Sequence, residues 1–130
     1  MQVQNFDIVV SKGDNDNVWG IIHYGDDLLT TVGKNIKELK ANFNEQFEDF
    51  YQLDRKKISY KVLYELSTFF EQFDFLNLAA IARKAGINDA LMRQYKAGIK
   101  YPSEKQVSKI EVAIHELLNE VKDVHLVATR

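Results

Sequence analysis

The sequence predicts an α+β fold, in which a small N-terminal antiparallel sheet with one packed helix is followed by an all-α domain and a short C-terminal strand. Short β-rich runs alternate with turn clusters as far as Gly33. An apolar pattern of helical period comes next, and helix caps and glycine stops recur through the second half. We place the boundary after residue 65, which gives domains 1–65 and 66–130.

The composition fits a small globular chain and excludes several classes of protein. The chain has 130 residues, 45% of them hydrophobic, with no Cys and a net charge of −2. Without Cys there is no disulfide framework and no thiolate nucleophile or metal ligand. No apolar run approaches the ~20 residues of a transmembrane helix, and the first five residues lack the pattern of a signal peptide. We therefore expect a cytoplasmic protein that does not enter the membrane.

Three strands are predicted before the first helix. Phe6–Ser11 and Val18–Tyr24 are rich in β-branched and aromatic residues and flank the turn cluster Lys12–Asn17, so they form a hairpin. Leu28–Val32 is a third short strand that ends at Gly33.

A helix follows directly and packs on the sheet. Asn35 is the predicted N-cap, and Glu38 stands at the capping-box spacing. The apolar residues fall on one helical face, which we interpret as core: Ile36, Leu39, Phe43, Phe47, Phe50 and Tyr51. After a polar connector, Ile58–Tyr64 is the fourth strand.

Four helices are predicted in the second half, each from a residue that can cap its start. Ser67 caps a short helix, Asn77 caps Leu78–Ala85 before Gly86, Asn88 caps Asp89–Ala97 before Gly98, and Pro102 with Ser103 opens the last. Val124–Ala128 is then predicted as the C-terminal strand.

Residues 78–97 match the requirements of a helix-turn-helix. Two helices that cross steeply need a small residue where they touch, supplied by Ala82, and a turn residue that accepts positive φ, supplied by Gly86. Buried apolar residues are also needed at set positions, and these are Ile81, Ala85, Ile87, Met92 and Tyr95. We interpret the segment as a helix-turn-helix; the alternative is a generic helical hairpin.

In a helix-turn-helix, Asn88–Ala97 would be the recognition helix. Arg93 and Gln94 suit guanine and adenine edges, and Ala90 points outward beside them. Asn88 can cap the helix and also offer its amide to a phosphate. Three lysines are placed to meet the DNA backbone: Lys84, Lys96 and Lys100. Asp89 opposes this interpretation, because a carboxylate in the leading turn repels phosphate.

The charge distribution supports an anion-binding face in the same region. Residues 83–109 contain seven basic and two acidic side chains, a net charge of +5 within a chain of net −2. The alternative is an ordinary solvated helix surface.

The chain resembles the HicB-type antitoxins. The resemblance rests on the order of strands and helix in the first half, on Val32–Leu39, and on a C-terminal run that is similar to repressor-type domains: Ala80–Ile87, Gln94–Gly98 and Tyr101–Ser103. It implies a partial ribonuclease H-like domain joined to a DNA-binding domain. It also implies operator DNA and a HicA-type ribonuclease toxin as partners, and a homo-oligomer such as a homodimer. The chain departs from the family at Tyr24–Leu29, where a Pro-Gly-Cys-like turn is usual.

No catalytic constellation is evident. His23, His115 and His125 are isolated, and Asp7, Glu38 and Glu45 do not form the set of convergent acids that a ribonuclease H site needs. We therefore predict no catalytic residue, metal or cofactor. Two hypotheses stay open: a DNA-binding regulator, and an interaction or oligomerisation module whose helix-turn-helix no longer binds DNA. A metal-dependent nuclease is a remote third.

Overall fold

The computed structural model describes residues 2–129 as an α+β protein with a four-stranded sheet and five helices. Contacts divide it into two compact units within the second helix, the first ending at Thr68 and the second beginning at Phe69. The strands are β1 (Gln4–Lys12), β2 (Val18–Tyr24), β3 (Asp27–Gly33) and β4 (Ile58–Tyr64). The helices are α1 (Ile36–Tyr51), α2 (Leu66–Gln72), α3 (Leu78–Ala85), α4 (Asp89–Ala97) and α5 (Glu104–Lys122).

The sheet is mixed, so the prediction of a purely antiparallel sheet was wrong. Its order is β3-β2-β1-β4, with β2 antiparallel to both neighbours and β4 parallel to β1. Two hairpin turns leave β3 running in the direction of β1. The crossover through α1 then returns the chain to the starting end of the sheet, which makes β4 parallel to β1.

The core of the first unit lies between the sheet and α1. Alternate residues of β1 are buried, as in a strand with one covered face, and Leu39, Phe43 and Phe47 of α1 are fully buried against the sheet. Gly20 allows this close approach, because a Cβ there would lie 2.9 Å from Cε2 of Phe43. Phe50 was wrongly assigned to the core. It shares the helical period, but its side chain is 73% exposed.

Local sequence signals explain how α1 and the first turn form. Asn35 caps α1 as predicted, since its Oδ1 accepts a hydrogen bond from the backbone N–H of Glu38 at 2.9 Å. The Glu38 carboxylate reaches back to the N–H of Lys34 at 3.1 Å. In the β1–β2 turn, Asn15 and Asp16 adopt positive φ, which these residue types tolerate.

The second unit is helical, and α3 packs against both α4 and α5. The caps predicted at Asn77, Asn88 and Ser103 are confirmed. Ser67 is not a cap, because α2 already begins at Leu66. The buried side chains of this unit are Phe70, Ile81, Ala82, Ile87, Met92, Tyr95, Ile110, Ala113 and Ile114.

The predicted C-terminal strand Val124–Ala128 is not formed. Residues 124–129 have no regular secondary structure, and Leu126 is 95% exposed. Alternating apolar residues can only predict that a segment suits a strand. A strand also needs a neighbouring backbone, and within residues 2–129 none pairs with this segment. Among the helices described, none is long and apolar enough to cross a membrane.

Candidate nucleic-acid interface

The turn between α3 and α4 is built on Gly86. Its φ of 71° lies in the left-handed region, and the N–H of Ile87 donates to the Ala82 carbonyl oxygen at 2.9 Å to close the helix end. A Cβ at Gly86 would have nothing within 4 Å. The glycine is therefore required for its positive φ, since a side chain at this position would meet no steric obstacle.

The small and apolar residues that the sequence singled out are almost all buried. Ala82 of α3 and Met92 of α4 have no exposed surface, and the two helices pack against each other. Ile81, Ile87 and Tyr95 are also buried, whereas Ala85 is half-buried. Their burial gives α4 a defined inner face and leaves the other face to solvent.

The outer face of α4 carries most of the predicted DNA-binding residues. Ala90, Arg93 and Lys96 are exposed, while Gln94 is half-buried. Asn88 uses its Oδ1 to accept from the backbone N–H of Ala90 at 2.8 Å. The cap therefore leaves the side-chain NH₂ group of Asn88 as a donor, next to the positive end of the helix dipole.

Lys84 is held differently from the other predicted backbone contacts. Its Nζ lies 3.4 Å from Oε1 of Glu120 and 3.8 Å from Oε2 of Glu116, both on α5. Such exposed pairs contribute only about 0–1 kcal/mol, so the ammonium group can leave them at little cost. In the structure, however, a phosphate would have to compete with these two carboxylates for the Lys84 ammonium group.

The other basic residues that we predicted to contact DNA have no side-chain partner among the described residues. Within residues 2–129, the side chains of Arg93, Lys96 and Lys100 make neither an ion pair nor a hydrogen bond. Asp89 is also exposed, in the first turn of α4. Arg93, Lys96 and Lys100 are thus unpaired cations near the exposed face of α4, and Asp89 is an opposing carboxylate on that helix.

Sequence reasoning missed two features of this surface. Arg83 is exposed beside Lys84 at the end of α3, and its position in the basic run was a signal for including it. The partners of Lys84 had no such signal, because Glu116 and Glu120 lie far along the chain. Only the packing of α5 on α3 brings them together.

The other polar contacts of note lie in the first unit. Arg55 donates to both carboxylate oxygens of Glu48, and this bonding lowers the pKa of Glu48. The hydroxyl of Tyr51 donates to Asp27 at 2.6 Å, which raises the pKa of Tyr51. In the described part of the chain, no three His, Asp or Glu side chains are grouped so that they could hold a metal ion.

Comparison with known proteins gives no match. Neither a protein-family model, nor a curated protein, nor a solved structure corresponds to this chain.

Proposed function

We propose that the chain is a non-enzymatic, HicB-type antitoxin-like regulator that binds operator DNA through a helix-turn-helix formed by α3 and α4. Operator DNA and a HicA-type ribonuclease toxin are its two partners. The working unit is a homodimer, and it acts in the cytoplasm, where its operator would lie.

The observation that carries this proposal is the α3–Gly86–α4 arrangement. Buried Ala82 lets the two helices touch, and Gly86 turns the chain with positive φ. Buried Met92 and Tyr95 orient α4 so that Arg93 and Lys96 stay exposed. A recognition helix needs this combination of a fixed inner face and a free polar outer face.

On DNA, the side chains of α4 divide into two roles. Arg93 bridges O6 and N7 of a guanine, Gln94 bridges an adenine, and Ala90 contacts a thymine methyl group. Asn88 donates its amide to a phosphate, and Lys96 and Lys100 neutralise further phosphates without reading sequence. Arg93 therefore sets base preference, whereas the lysines set general affinity.

A second function, that of an interaction module without DNA binding, is favoured by three observations. The net charge of the chain is −2, and Asp89 stands in the leading turn of α4. Lys84 is also paired with Glu116 and Glu120 instead of being free for phosphate. Under this reading the α3–α4 pair is retained as a stable scaffold for a protein partner.

Fluorescence anisotropy distinguishes these two functions. Duplex DNA from the promoter of the protein's own gene is titrated with the full chain at low salt, beside a shuffled duplex of equal length. Arg93→Ala should weaken promoter binding by about 1–3 kcal/mol and reduce the preference over shuffled DNA. Lys122→Ala, which removes an exposed base of α5 outside residues 83–109, is the control and should have little effect.

The antitoxin part of the proposal has its own test. A short basic reading frame beside the gene is expressed alone and together with this chain. Growth arrest by the neighbour alone, relieved by co-expression, is the expected result. A neighbour that is harmless or absent would remove the toxin from the proposal without touching DNA binding.

A further inference from the structure

The two edge strands of the sheet, β3 and β4, differ in whether their outward backbone groups are hydrogen-bonded. At the β3 edge, side-chain amides of α1 occupy the outward carbonyl groups. Asn42 Nδ2 donates to the Val32 oxygen at 3.1 Å, and Gln46 Nε2 donates to the Thr30 oxygen at 3.0 Å. This edge therefore has two of its acceptors already used and is protected against an added strand.

At the β4 edge the backbone is open. The N–H of Glu65 donates to the Val10 oxygen at 2.9 Å, so the backbone groups of Glu65 and of every second residue before it face β1. Tyr60 and Val62 alternate with these residues, so their N–H and C=O groups point away from β1, towards the open side of the sheet. Since β4 ends the order β3-β2-β1-β4, no strand of residues 2–129 lies on that side.

β4 has little of the protection that natural sheets give to their edge strands. It has seven residues without Pro, and Lys61 is its only charged side chain. Tyr60 and Val62 pack partly against the core, and the Tyr60 hydroxyl donates to Asn44 of α1 at 2.7 Å. Tyr60 and Val62 are therefore anchored on the core side, and their outward N–H and C=O groups are two donor–acceptor pairs for an incoming backbone.

The charges around β4 select the direction of an added copy. Lys56 and Lys57 precede the strand, and Glu65 follows it. An antiparallel second copy brings bases near an acid at both ends, whereas a parallel copy brings like charges together. Pairing Val62 with Val62 of the second copy also places Lys61 opposite Leu63 and avoids Lys61 facing its own equivalent.

We propose that β4 binds β4 of a second copy of this chain in antiparallel fashion, so that the sheet continues across a two-fold axis. The surface is the same on both partners, as a two-fold interface requires. This inference concerns the first unit alone, and it does not depend on whether α4 binds DNA.

The first test blocks the outer edge without breaking the sheet. In Val62→Pro, the lost N–H is one that points away from β1, so the bonds between β1 and β4 are kept while the added strand loses a donor. Val62→Thr, which keeps both the β-branched shape and the N–H, is the matched control. Sedimentation equilibrium of the full chain should show a dimer dissociation constant at least about tenfold weaker for Val62→Pro and little changed for Val62→Thr.

A second test uses charge and does not depend on the proline variant folding. Lys57→Glu and Glu65→Lys should each weaken the dimer, and the double variant should recover the affinity of the natural chain. Three results would overturn the proposal: a natural chain that is monomeric at every concentration, charge variants without this reciprocity, or loss of the dimer only when residues 124–130 are removed. The last would assign dimerisation to the C-terminal segment.

Discussion

Gly86 shows how much a single residue decides in this protein. Its positive φ makes the α3–α4 turn possible. Because nothing lies within 4 Å of an added Cβ, a larger side chain would be unfavourable only through the backbone conformation. Ala82 has the opposite kind of constraint, since its side chain has no exposed surface at all. Both requirements follow from local physics, which is why the sequence alone identified these two residues.

The first prediction tests both constraints through stability. Ala82→Leu should lower the free energy of unfolding by about 1–3 kcal/mol through overpacking. Gly86→Val should lower it by about 1–3 kcal/mol through backbone strain. Ala97→Leu, on the exposed face of α4, is the matched control and should change little. Urea unfolding measures all three, and unchanged midpoints for both test variants would contradict the assigned turn.

Tyr60 gives a second prediction at this scale, through pH. Burial raises the pKa of Tyr60 from 10.0 to about 12. The folded state therefore favours the protonated phenol, and this stabilisation is complete below pH 10 and lost as the pH rises towards 12. In Tyr60→Phe, the fall in urea midpoint over that interval should be smaller than in the natural chain. Tyr101 is exposed, so the urea midpoint of Tyr101→Phe should fall over this interval as much as that of the natural chain.

At the scale of elements, the sequence predicted those features that depend on neighbouring residues. The spans of β2, β4, α3 and α4 agree with their patterns because caps, glycine stops and β-branched runs act within a few residues. The direction of β4 was missed, since it is decided by the crossover through α1. Phe50 was misjudged for a similar reason: helical period does not tell where the surface beneath a helix ends.

The pairing of α3 with α5 leads to a third prediction. Glu116 and Glu120 hold Lys84 at the surface that we assign to DNA. The double change Glu116→Gln and Glu120→Gln should release this ammonium group and remove two repelling charges, so promoter binding at low salt should tighten. Glu104→Gln with Glu111→Gln removes the same charge from elsewhere on α5. Equal tightening by both pairs would show that only net charge matters.

At the scale of the whole molecule, charge is unevenly spread. A chain of net −2 concentrates a net +5 within residues 83–109. The candidate DNA surface is therefore confined to one region of the second unit, in which Arg93, Lys96 and Lys100 are among the exposed cations. The sequence located this region, because charge runs and helix caps are local. It could not show that Lys84 is drawn onto α5.

The salt dependence of promoter binding is the most direct test of whether α4 binds DNA. Each neutralised phosphate contributes roughly −0.9 to the slope of log K against log salt. With Lys96 and Lys100 of two copies at phosphates, we expect about four contacts and a slope of roughly −3.6. Lys96→Ala in both copies should make the slope shallower by roughly 1.8, without changing base preference. A folded, dimeric protein that shows no saturable binding at low salt, or a slope that Lys96→Ala leaves unchanged, would contradict DNA binding through α4.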